Sequence, residues 1–160
     1  MDLPLPMQKF ASLTRPPALF LPWAVLLASI LPATANPVIN EIFYHEDRGA
    51  GPENTLTEWI ELHNPTQVTI DLSSWSFSRG ISYTFPPGTS LPGSGYLVVA
   101  ADPLTFNTNH PGIDKGSNVF GPWTGSLRNS GETISLETAA GIRADRVQYA
   151  DDGDWATRAR

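Results

Sequence analysis

Between Pro37 and Tyr149 the chain never sustains the three-to-four-residue apolar period of a helix. Turn residues instead recur roughly every 8–12 positions, and the stretches between them are short and β-rich. This punctuation predicts an all-β chain of about eight short strands folded as an antiparallel β-sandwich. Fifteen prolines and 13 glycines supply the turns. The clearest strand is Glu58-Trp59-Ile60-Glu61-Leu62-His63. Ile60 and Leu62 fall on one face, and Glu58, Glu61 and His63 read as the polar company of a half-solvated strand. Asn64-Pro65 stops it, because proline lacks an amide hydrogen and biases its predecessor away from helix.

The other segments follow in order. Pro37 to Tyr44 reads as a first strand; both of its faces are largely apolar, which predicts a central position. Residues 45–57 form a loop. Thr66 to Leu72 is a turn and short strand, Trp75 to Phe77 another, and Ile81 to Phe85 its hairpin partner. Tyr96 to Ala100 is the most apolar strand and therefore buried. Asp102 can cap a helical turn opened by Pro103. Thr133 to Leu136 and Ala144 to Tyr149 complete the set, with Phe120, Trp123 and Leu127 returning the chain to the core.

Residues 1–35 have a different character. Lys9 and Arg15 precede a mostly apolar run from Ala18 to Leu31, and Pro32-Ala33-Thr34-Ala35 ends it with small residues. This is the pattern of an export signal cut between Ala35 and Asn36. The run is too short for a spanning helix and is broken by Pro22 and Pro32, so no stable membrane anchor is expected after cleavage. The domain then occupies 36–155, and 156–160 is the start of a linker or a truncated end. With no cysteine in the chain, its core alone must hold it.

The net charge of −6, with no clustered basic stretch, disfavours a nucleic-acid partner. Glu41, Glu46, Asp47, Glu58 and Glu61 invite a paired-carboxylate reading, but charged strand residues ordinarily face solvent. Asp151, Asp152 and Asp154 around Gly153 have the composition of a calcium loop without its twelve-residue pattern, and read as a solvated acidic exit. His45, His63 and His110 show no metal spacing, and no serine sits in a nucleophile elbow. No catalytic residue, metal ligand or cofactor site is expected. Trp75, Trp123 and Trp155 could form a glycan-stacking platform, although core anchoring is the better account of tryptophans in a sandwich without disulfides.

Asn40-Glu41-Ile42, then Glu58 to Asn64, then Asp71-Leu72-Ser73-Ser74-Trp75 resemble the opening of a lamin tail domain of the bacterial, secreted kind. Leu91 to Ala100, Leu127 to Leu136, and Gly141 with Asp145 to Tyr149 resemble that family's later strands in order and spacing. The structural signature comprises Asn40, Glu41, Trp59, Glu61, Asn64, Trp75, Asn129, Gly131, Asp145 and Tyr149. The resemblance implies an immunoglobulin-like sandwich and a binding or tethering module, not an enzyme. It also implies a protein or cell-envelope partner, or a neighbouring domain of the same protein, outside the cytoplasm. The runner-up reading is an accessory domain at the N-terminus of a secreted phosphoesterase, nuclease or spore-coat-type kinase, since the chain stops directly after the domain.

Overall fold

A computed structural model describes residues 36–46, 52–113, 116 and 118–150. The leader with its Ala35 cleavage position, the acidic exit at Asp151, Asp152 and Asp154, and Trp155 lie outside the described residues. The described strands number ten. They are β1 (Val38–Phe43), β2 (Trp59–His63), β3 (Ile70–Asp71), β4 (Ser76–Arg79), β5 (Tyr83–Thr84), β6 (Ser90–Leu91), β7 (Tyr96–Ala100), β8 (Val119–Phe120), β9 (Glu132–Glu137) and β10 (Arg143–Tyr149). A helix, α1 (Pro103–Asn109), lies between β7 and β8. The Asp102 carboxylate accepts the Thr105 amide at its start and Pro103 occupies the first turn, so the single helical turn expected there extends to seven residues.

A front sheet runs β1-β2-β7-β8 and a back sheet β10-β9-β4-β5, while β3 and β6 form a two-stranded ribbon. All pairings are antiparallel except β7 with β8. Alternation sends Ile39, Ile60, Leu62, Leu97 and Val99 inward from the front sheet. Phe77, Ile134 and Leu136 meet them from the back, in one core that also takes Leu72, Phe85, Trp123 and Leu127. The architecture is the sandwich that the strand pattern predicted, with the immunoglobulin-like fold that the resemblance implied.

The first strand departs from expectation: β1 is an edge, not a central strand. The physical reason is a bulge. Val38 and Ile39 pair with His63 and Leu62, and then the register shifts so that Glu41 pairs with Glu61 and Phe43 with Trp59. The extra residue, Asn40, lets Ile39 and Ile42 both pair with core residues although they are three apart. Read at strict period two, such a segment looks apolar on both faces.

Both open sides of the sandwich are closed by side chains and loops. On one side, β10 lies along β1. The Asp145 carboxylate accepts the Ile39 amide at 2.7 Å, Asn36 Nδ2 donates to the Ala144 carbonyl at 3.2 Å, and Tyr44 stacks on Tyr149 at 4.7 Å. On the other, Ser82 and Thr124 exchange backbone hydrogen bonds, and Phe120 meets Phe85 edge-on. An inward-pointing acid that takes an edge amide is a device against strand addition.

Candidate functional site

Three polar residues at the ends of strands organise the sandwich. Asn64, at the end of β2, is completely buried. Its amide nitrogen donates to the carbonyls of Val68 (2.8 Å), Leu91 (3.1 Å) and Pro92 (3.0 Å), and its oxygen accepts the Thr66 amide and hydroxyl. Two amide protons shared among three carbonyls, with the oxygen doubly occupied, use the full capacity of the group. Asn64 thus ties β2 to the β3–β6 ribbon and to the turn before β7. In that turn the chain passes so close to Gln67 that a Cβ on Gly93 would lie 2.3 Å from the Gln67 carbonyl carbon.

Tyr149 secures the other end. Its hydroxyl reaches the Arg128 carbonyl at 2.9 Å and Glu132 Oε1 at 3.2 Å, and that same carboxylate oxygen accepts the Arg128 amide. Burial first, and then the Glu132 charge, push the phenol well above its ordinary range. Gly131 completes this corner: its φ is +90°, and a Cβ would lie 2.4 Å from the Tyr149 carbonyl oxygen. Asn129 lies beside it with its side-chain oxygen buried and unpartnered.

Glu58 is the residue that the strand pattern misassigned. It stands just ahead of β2 and is only 2% exposed. Its Oε2 accepts the Leu127 amide at 2.8 Å, which joins the front sheet to the connection leading into β9. Its Oε1 is buried without a partner. Loss of water outweighs the Leu127 hydrogen bond, and with the charges of Glu53 and Glu132 nearby the carboxyl is pushed up to about 7. A polar residue flanking an alternating strand looks solvent-facing from the sequence. Nothing local signals that a loop some 70 residues later will cover it, since that requires the tertiary fold.

The remaining sequence candidates disperse. Glu41 and Glu61 are cross-strand partners on the outer face of the front sheet, where Asn40 Nδ2 donates to Glu61 Oε1 at 2.7 Å. Trp59 also points outward. It stacks on Phe43 at 5.6 Å and is covered by Phe106 and His110 of the α1 region, in a second apolar cluster with Val98 and Ala100. Trp75 is half-buried against the main core and Trp123 is buried, so two of the three tryptophans of the glycan platform pack into the interior. His45 meets Glu53 at 3.7 Å in an exposed pair of little energetic weight. Among the described residues no three His, Asp or Glu side chains converge as a metal site, and no helix is long and apolar enough to cross a membrane. An open groove of about 740 Å³ lies between the Pro86–Ser90 turn, Tyr96 and Phe120, and none of the described residues lining it is charged.

No curated protein matches the chain. The family model described as Lamin Tail Domain matches residues 31–151, which span every described strand, the Asn64 and Tyr149 corners and the Glu58 clasp. The fold of that family is immunoglobulin-like, and the family is not a known catalytic one. The chain belongs to the lamin tail domain family.

Proposed function

We propose that the protein is a non-catalytic binding and tethering module of an exported bacterial protein. It holds a protein or cell-envelope partner, or a neighbouring domain of a longer protein, outside the cytoplasm. One observation carries the reading: the polar groups best suited to chemistry are already committed to internal backbone contacts. Asn64, Asp145, Tyr149 and Glu58 each hold an amide or carbonyl of a distant segment. With both open sides closed, recognition falls to the sheet faces and the connecting loops, as on other rigid sandwiches. The charged-apolar-small pattern of residues 1–35 supports export.

The test is expression of the whole chain in a bacterium, followed by fractionation and N-terminal sequencing. Export predicts a mature N-terminus at Asn36 and a product outside the cytoplasm. Leu26→Arg with Leu27→Arg, placed in the apolar run, should keep the product inside with residue 1 intact. A fluorescent protein fused to the C-terminus should remain with the cell envelope when the sandwich is intact and lose that association when the core is broken by Leu62→Asp. An uncut product in the cytoplasm, or retention that ignores Leu62→Asp, refutes the proposal.

A further inference from the structure

The outer face of the front sheet is only half covered. At one end, α1 lies over the row Phe43, Trp59 and Ala100. Register places Glu41, Glu61 and Val98 in the next row, where Val98 is still buried in the α1 cluster and the two glutamates lie beyond it, then Val38, His63 and Tyr96 in the last. In that last row Val38 is 37% exposed and Tyr96 51%. Tyr96 is nonetheless held in place, its ring stacked on His63 at 4.4 Å and 22°. An exposed aromatic that is already ordered loses little freedom on contact with a partner.

The middle row carries an unresolved electrostatic cost. Like charges directly opposite on neighbouring strands destabilise a sheet. The β1 bulge is what sets Glu41 opposite Glu61; without the extra residue, Asn40 would occupy that place. Glu61 receives one neutral amide, from Asn40, and the Glu41 side chain makes no hydrogen bond or ion pair among the described residues. No Lys or Arg of the described residues pairs with either. A cation seated between the two carboxylates would turn repulsion into attraction. A Lys or Arg side chain fits best, because its aliphatic stem can lie on the Tyr96–His63 stack about one residue pair away, roughly 7 Å along the strand.

We propose that this uncovered half is a docking surface for an extended protein segment carrying a Lys or Arg beside apolar residues. The cation sits between Glu41 and Glu61, and the neighbouring apolar side chain lies on Val38 and Tyr96. This names the partner class of the binding module and rests on that reading. Strand addition is not required, since the segment lies on the face and leaves the closed edges undisturbed.

The experiment titrates the 15N-labelled chain with an acetylated, amidated Val-Lys-Val-Arg-Val peptide and its Val-Glu-Val-Glu-Val counterpart. The basic peptide should shift the amides of Val38, Glu41, Glu61, His63 and Tyr96 at millimolar concentration, more strongly at low salt. Glu41→Gln with Glu61→Gln should weaken the apparent Kd about tenfold while preserving the dispersed spectrum. Four results overturn the proposal: no shifts up to about 10 mM peptide, shifts centred elsewhere, equal response to both peptides, or no effect of the double substitution. Calcium alone moving the two glutamate amides would assign the pair to a metal ion instead. Concentration-dependent shifts at the same residues without peptide would assign the face to a second copy of the chain. Failure here with envelope retention of the fusion intact removes this surface and leaves the tethering reading standing.

Discussion

Replacing Glu58 by Gln should flatten the pH dependence of stability near neutrality. The carboxyl has a value of 4.5 when solvated and about 7 in the folded chain, because burial strips its water. Between those values the folded state binds more protons than the unfolded state, so stability must fall as pH rises. The contribution is fully present below about pH 4.5 and is gone above about pH 7. At about 1.4 kcal/mol per unit, the loss across that window is about 3 kcal/mol, a large part of the stability of a domain this size. Asp71 and Asp102 are shifted the other way by hydrogen bonds to Ser73 and Thr105, so they act below their ordinary 3.8 and leave the window clear.

Gln retains an oxygen for the Leu127 amide and cannot ionise. Its amide group, placed where Oε1 has no partner, costs about 1–3 kcal/mol. The variant should therefore be weaker than wild type at pH 5 and approach or exceed it at pH 8. Urea denaturation followed by tryptophan fluorescence, repeated from pH 5 to about pH 8.5, reads both slopes. A wild-type stability that is level or rising across that range would refute the reasoning, as would an unchanged slope in the variant.

Other substitutions test other joints. Asn64→Ala abandons three carbonyls and the Thr66 amide inside the fold and should cost about 3 kcal/mol or more by urea denaturation. Asn64→Asp should be at least as damaging, because a carboxylate cannot donate to the carbonyls it would face. Gly93→Ala forces a Cβ onto the Gln67 backbone and should lower the thermal midpoint by several degrees. Tyr149→Phe removes the hydroxyl that holds the Arg128 carbonyl; the expected loss, read by the same denaturation, is about 1 kcal/mol.

Strand positions were legible wherever alternation and turn chemistry agreed. Ile60 and Leu62 are fully buried on one face of β2, Ile81 and Phe85 flank the β5 hairpin strand, and Leu97 to Ala100 is interior throughout. The reading failed where a register shift breaks period two, since Ile39 and Ile42 face one core only through the Asn40 bulge. It failed again at Glu58 and was silent on where Trp59 packs. A carboxylate next to a strand gives no sign of a covering loop, and an outward tryptophan gives no sign of the helix that shelters it. Asn64 shows a related limit. Its part in stopping β2 follows from the proline beside it, whereas its five hydrogen bonds depend on segments up to 28 residues away. The lamin-tail signature thus combines both kinds of position, those set by local pattern and those set by partners remote in sequence.

The central claim is that acidic side chains, each on its own backbone amide, hold this sandwich together. Amide hydrogen exchange at Ile39 and Leu127, followed by NMR at about pH 6 in wild type, Asp145→Ala and Glu58→Ala, tests it most directly. Both amides should be protected in wild type, Ile39 should lose protection in the Asp145 variant, and Leu127 should lose it in the Glu58 variant. Rapid exchange of both in wild type, or protection indifferent to the two substitutions, would contradict it.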